Sequence, residues 1–495
     1  MNFFPLDPAL KDALSDFSNH IQIVLILTFS DLQTLTITHE NLKTAQVTSR
    51  TTQDGVILTT GELTFTLPEG STPQSVTKGE IHLSAGACGI NLHRFTMTPD
   101  EKNLKHLQEG GRDDLYRLFL EDSLARIKRT KNLRDWTSAE TLVDSAVCDK
   151  EHPEKSLFHT LALKAGVPPG EIDCVSIPLT VPYAKLIRSP YAELCDLARA
   201  MHARLSSGTD KTLILSDSRY QEETPDETEI PTLEETLFYH LSTHTAGDNL
   251  YNDIRLKWNK PVHLSYQTLW IYQDEPVQYD GSLNPSYPFS LSGVKRDIET
   301  NPTYQAPYTA ALPGGEKKPV VYANNISRQD EVENRMITDF SALTITHYDT
   351  TTYPDRALIN LECTADDRLQ NLFIEGAPIV VLSNQACYRR DQESIDQNGL
   401  KILNHTGKYF LDQEVNGTPH FEDWTNHTLF THKEPRRRFT GKTQHGLFYP
   451  RVGARTYLSL ETGETPLTRV TELILTYSVK EGFTAQITLE EEKES

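Results

Sequence analysis

The chain of 495 residues is too long for one ordinary core and, at roughly 100 to 200 residues per domain, predicts three or four. Hydrophobic residues at 37% and charged residues at 24% sit near soluble-globular values, which excludes wholesale disorder. With 69 acidic against 48 basic residues the formal charge is −21, which opposes gripping a polyphosphate through a general surface field.

The N-terminus "MNFFPLDPALKD" has no basic region and no small-residue cleavage site, so no secretory signal is expected. The longest apolar run, Ile21 to Phe29, falls short of the roughly 20 residues of a membrane helix and reads as a buried strand. Up to about residue 100 the chain alternates at period 2. Leu35 and Ile37 alternate with threonines, and Leu63, Phe65 and Leu67 do so before a Pro-Glu-Gly turn, which predicts a small antiparallel barrel or sandwich. From Asp100 to Arg134, Leu115, Leu118, Phe119 and Ile127 fit a helical face flanked by charge and predict a helical excursion.

Residues 136–220 read α/β. Leu157, Leu161 and Ala165 recur at helical spacing, and Gly166 stands where a C-terminal cap belongs. The strand "VSIPLTVPY", the helix "SPYAELCDLARAMHARL" with proline in its first turn, and the strand "KTLILSD" follow. Acidic, proline-punctuated Arg219 to Thr232 reads as a linker, "LEETLFYHLSTH" as a helix, and Pro276 to Pro319 as a loop-rich connection. Strands return at "ALTITHYD" and "ALINLEC". The last element is a hairpin in which Leu473, Leu475, Tyr477 and Val479 face Phe483, Ala485, Ile487 and Leu489.

Chemistry-bearing motifs are sparse. "GKT" at Gly441 to Thr443 lacks the earlier P-loop glycine, since Arg436 stands there. On the expected helix His240 and His244 would lie one turn apart, but Leu241 occupies the place of a metalloprotease glutamate. Asp366 with Asp367 reads as a solvated loop edge rather than a glycosidase pair. Six cysteines, Cys88, Cys148, Cys174, Cys195, Cys363 and Cys387, form no C-x-x-C pair and read as ordinary thiols of a reducing cytoplasm, not as a zinc site or a disulfide framework. The basic run His432 to Lys442 reads as a solvated loop or a protein contact, with Arg436, Arg437 and Arg438 facing outward. No catalytic, cofactor or metal residue is assigned, and no enzyme activity is expected.

Several segments in order resemble the hub proteins at the tail end of tailed bacteriophages and related contractile or gene-transfer particles. These are "SLFHTLALKAG" at Ser156 to Gly166, "NLFIEG" at Asn371 to Gly376, "ESIDQNG" at Glu393 to Gly399 and "PRVGA" at Pro450 to Ala454, followed by the closing hairpin. The chain departs from that pattern where Asn398 replaces an aromatic residue and Ala454 an acid, and where an alanine-rich helix is missing.

The resemblance implies a mainly β fold with α/β insertions: two antiparallel β-barrel hub domains plus smaller α+β domains. The expected segments are a first barrel with its helical excursion at 1–135, an α/β domain at 136–220, a connecting region with a helix and loops at 221–330, and a second barrel at 331–495 carrying an inserted small domain at about 376–450. It further implies a homotrimeric virion tail or baseplate hub, without cofactor, assembled in the host bacterial cytoplasm. Such a hub meets the tail tube or distal tail protein, the tape-measure protein and a spike or fibre, and DNA passes through its lumen without specific binding. The alternative reading, from the Tyr- and Asn-rich loops, is a cell-surface glycan-binding or glycan-cleaving β protein.

Overall fold

A computed structural model describes the chain from 21 to 492, except residues 30, 39, 53–54, 68–75, 86–87, 97–103, 108–114, 130–140, 187, 209–210, 223–229, 248, 264–266, 273–276, 279–285, 291–319, 326–342, 350–355, 364–367, 377–378, 416, 444–450 and 481. Its dominant element is a ten-stranded sheet drawn from both ends of the sequence. The strands run in the order His240–Ala246, Arg436–Thr443, Gly482–Glu491, Leu467–Ser478, Leu42–Thr51, Ile57–Thr66, Leu115–Glu121 and Leu104–His106. Arg455–Ser459 branches from Leu467–Ser478 and pairs in turn with Thr232–Glu234.

Alternation sets the face of each strand, and matching of apolar rows sets the register. Leu475 lies between Ala485 and Val47, and Leu63 lies between Ala45 and Leu118. All six are buried, so the rows form one continuous stripe across the sheet. Over this stripe packs a second sheet, in the order Thr34–Ile37, Ile21–Phe29, Val76–Ala85 and Cys88–Thr96. It contributes Leu25, Leu27, Ile37, Ile81 and Phe95 to the same core.

The class is therefore mainly β and antiparallel. Among the described residues no sheet closes into a barrel. Strands expected in separate barrels share one sheet, because Leu42–Thr51 pairs directly with Leu467–Ser478. Two expected helices are corrected. "LYRLFLE" is the strand Leu115–Glu121, with Tyr116, Leu118 and Leu120 buried in alternation and Phe119 on the other face beneath the Arg117 guanidinium, 4.8 Å from its ring centre. Among the described residues only the short helix α1, Ser123–Lys128, follows it. "LEETLFYHLSTH" is not helical either: Thr232–Glu234 and His240–Ala246 are strands around a single 3-10 turn. Of the loop-rich connection, Val277–Gln278 and Ser286–Ser290 form strands and 291–319 lies outside the described residues.

A second core unites the α/β segment with residues that come much later. Helix α2, Leu157–Lys164, starts where the Ser156 hydroxyl accepts from the His159 N–H and stops before Gly166 at φ +79°. Helix α3, Pro190–Ala200, has Ser189 as its cap and proline in its first turn. Against them lie the strand Asp253–His263, antiparallel to Ile379–Arg390 and parallel to Ile402–Gly407, and helix α5, His420–His432, which follows the short α4, Gln392–Asn398.

Polar groups tie the two parts of this core together. Glu193, fully buried on α3, accepts from Arg188 at 3.1 Å, Lys408 at 2.7 Å and the Tyr409 hydroxyl at 2.7 Å. A buried carboxylate needs such a donor set to remain charged. Asp423 on α5 likewise accepts two bonds from Arg219 and one from Tyr220.

Histidines pack at the same junction. His202 stacks on Trp424 at 5.3 Å and meets the His427 ring at 4.8 Å, while His420 spans from the Leu411 N–H to the Ala200 carbonyl. Burial holds His405, His420, His427 and His432 at about 4 and drives His202 well below the ordinary histidine value. These groups favour the fold only while neutral, so their contribution is complete above 6.5 and is lost as pH falls from there towards about 4. Urea unfolding across that range should show the midpoint falling steadily on acidification, and less steeply in His427→Gln than in the wild type.

Candidate functional site

The ten-stranded sheet ends at the strand His240–Ala246, which pairs with Arg436–Thr443 and, among the described residues, with no other strand. Five of its seven residues are exposed. Sheet edges in soluble proteins are usually guarded by lysine, proline, a bulge or a cover. Here the edge reads "HLSTHTA", with none of those residues, and it pairs in unbroken register. Just before it Leu237 and Tyr239 are 43% and 60% exposed. The result is an edge without lysine, arginine or carboxylate, beside the exposed Leu237 and Tyr239.

Its position is fixed from below. Phe238 is buried on Gly441 of the neighbouring strand, and any side chain at 441 would overlap the ring. This explains the glycine of "GKT", which sits inside Arg436–Thr443, a strand and not a phosphate loop. His240 and His244 lie on a strand, where four residues span about 13 Å, so they do not converge on a metal as on a helix.

The basic run is corrected in the same way. Arg436, Arg437 and Arg438 begin a sheet strand rather than a solvated loop, and their partners lie within the chain. Arg437 makes a bidentate pair with Glu491 at 3.1 and 2.9 Å, and Arg436 and Arg438 each lie 3.6 Å from Glu490. The hydrogen bonds from Arg437 hold the Glu491 carboxyl below its usual range. One residue on, Arg469 and Arg455 outweigh the upward push of burial and hold Glu492 at about 2, while Arg469 also reaches Asp217 at 2.9 Å and so joins the sheet to the α/β part. The arginines are consumed by the acidic end of the closing hairpin and offer no free cationic patch.

Within "DQESIDQNG", Gln392–Asn398 form the helix α4. Asp391 accepts from the Ser394 N–H at 2.9 Å and pairs with Lys433, and Gly399 at φ +75° ends α4. Asn252 then bonds the Gly399 carbonyl and the Lys401 N–H, each at 2.8 Å. The stretch Arg389 to Leu403 thus turns one strand of the small sheet into another. Asp366 and Asp367 lie outside the described residues. Sequence reading missed one grouping: Cys148, His159 and Cys174 bring their ligand atoms within 4.8 Å of one another. Their separation along the chain carried no signal.

No protein-family model matches the chain, and no curated protein matches its sequence. In structure it is similar to a tail protein from Neisseria meningitidis MC58, with TM-score 0.46 and 7% identity over 95% of this chain and 97% of that one. It is similar also to the 43 kDa tail protein of prophage MuSo2 from Shewanella oneidensis, with TM-score 0.45 and 8% identity over 95% and 98% of the two chains. A prophage tail protein from Listeria monocytogenes EGD-e gives 0.43 and 7%, with 95% of each covered.

If Phe238 on Gly441 sets the edge, Gly441→Val should cost ~1–3 kcal/mol by overpacking, measured by urea unfolding. Adding Phe238→Ala should return part of that loss, because the two sites couple directly.

Proposed function

We propose that this chain is a structural tail component of a phage-type particle that assembles as a homotrimer, with the edge strand His240–Ala246 of one copy docking on its neighbour. The observation that carries the reading is that edge: exposed, unguarded and in register on a sheet built from both ends of the chain. Backbone groups left open on a flat edge pair readily with a strand from another chain. A heterologous contact of this kind closes into a ring when the rotation permits.

The order of the hub-like segments in the sequence supports a finer placement, a hub joining the six-fold tail tube to a three-fold tip, spike or fibre. A formal charge of −21 suits a lumen through which DNA passes without sticking, since cationic walls would bind phosphate. The internal pairing of Arg436, Arg437 and Arg438 with Glu490 and Glu491 agrees with this. The role proposed is non-enzymatic and belongs to the virion tail.

Guarding the edge provides the test. In Thr243→Lys/Thr245→Lys the added charges should leave the melting temperature unchanged and hold the protein as a monomer in light scattering at concentrations where the wild type trimerises. Assembly of the variant equal to that of the wild type, or a wild type that forms only dimers, would contradict the proposal.

A further inference from the structure

Cys148 ends the strand Thr141–Cys148, Cys174 ends the strand Ile172–Cys174, and His159 lies in the first turn of α2. Cys148 and Cys174 are 1% and 5% exposed and His159 9%, so the cluster is sealed within the second core. The Ser156 hydroxyl, 2.9 Å from His159 Nδ1, fixes the ring and turns Nε2 towards the Cys174 sulfur, 4.0 Å away.

We propose that Cys148, His159 and Cys174 form a binding site for one thiophilic divalent cation of the zinc class. Zinc–sulfur and zinc–nitrogen bonds of about 2.3 and 2.0 Å place the ligand atoms of a tetrahedral site about 3.5 to 3.8 Å apart. The observed separations, all within 4.8 Å, need only a small inward movement of side chains. Binding releases both thiol protons to solvent and leaves the imidazole neutral, so two thiolates balance the ion and the buried site carries no net charge. Three protein ligands leave the fourth corner to a water molecule. Ser156 acts as a positioning residue, since a metal-bound histidine needs its other nitrogen held by an oxygen.

The ion would fasten the ends of two strands to the start of α2 at the centre of the α/β part. This inference stands apart from the assembly proposal.

Reduced full-length protein, stripped with a chelator, is to be titrated with Co2+ as a spectroscopic stand-in for zinc. One equivalent should bind with sulfur-to-cobalt charge-transfer absorption and tetrahedral d–d bands, and Zn2+ should displace it. His159→Gln should weaken binding, Cys174→Ser should remove most of the charge-transfer intensity, and Cys387→Ser should leave both unchanged. Native mass spectrometry of the wild type provides a readout that needs no variant, with the mass of one bound zinc expected alongside intact thiols. Failure of the reduced wild type to bind either ion, bands that persist in Cys174→Ser, or a Cys148–Cys174 disulfide in the purified protein would each overturn the proposal.

Discussion

The antiparallel pairing of Leu42–Thr51 with Leu467–Ser478 is the constraint from which the rest of the architecture follows. It brings strands from opposite ends of the chain into one sheet, and the matched apolar rows through Val47 and Leu475 allow no slip without exposing a whole face. Closing so long a loop costs only slightly more than closing a short one, because the entropy grows logarithmically with length. The hairpin partner Gly482–Glu491 then seats Arg436–Thr443, which in turn seats the edge strand. Without the central pair there is no platform from which His240–Ala246 could face a neighbour.

A second constraint acts where the α/β part meets the later strands. Glu193 with Arg188, Lys408 and Tyr409, and Asp423 with Arg219 and Tyr220, place buried charge between segments that an apolar core alone would leave free to shift. Such groups are costly unless fully bonded, and that cost fixes one geometry. Asp217, reached by Arg469 of the large sheet, extends the tie to the first core. The two cores therefore hold each other through polar contacts, and the neutral histidines at the second make that hold sensitive to acid.

Much of this was legible in the sequence. The closing hairpin, α2 with Ser156 and Gly166, and α3 behind Pro190 all carry local signals, either period-2 alternation or explicit caps, and the structure has each of them. The misreadings share a cause. In "LYRLFLE" apolar residues occupy both faces, because Phe119 outside the core is covered by Arg117, so the helical and strand periods both fit. The helix at "ESIDQN" went unread because it carries no apolar stripe; its Asp391 cap, the bond from Asn252 to Ser394 and the pair of Asp391 with Lys433 hold it. Strand partners, the absorption of the arginines by Glu490 and Glu491, and the meeting of Cys148 with Cys174 depend on long-range register, which composition and spacing do not encode. The edge itself was hidden for the same reason, since "HLSTHTA" becomes an edge only when nothing pairs beyond it.

Backbone hydrogen exchange, followed by mass spectrometry in the isolated chain and in its assembled form, tests the docking of that edge most directly. The account predicts that assembly slows exchange across 240–246 strongly while Leu104–His106 at the opposite edge changes little. Unchanged exchange across 240–246, with new protection on another surface of the assembled protein, would contradict it.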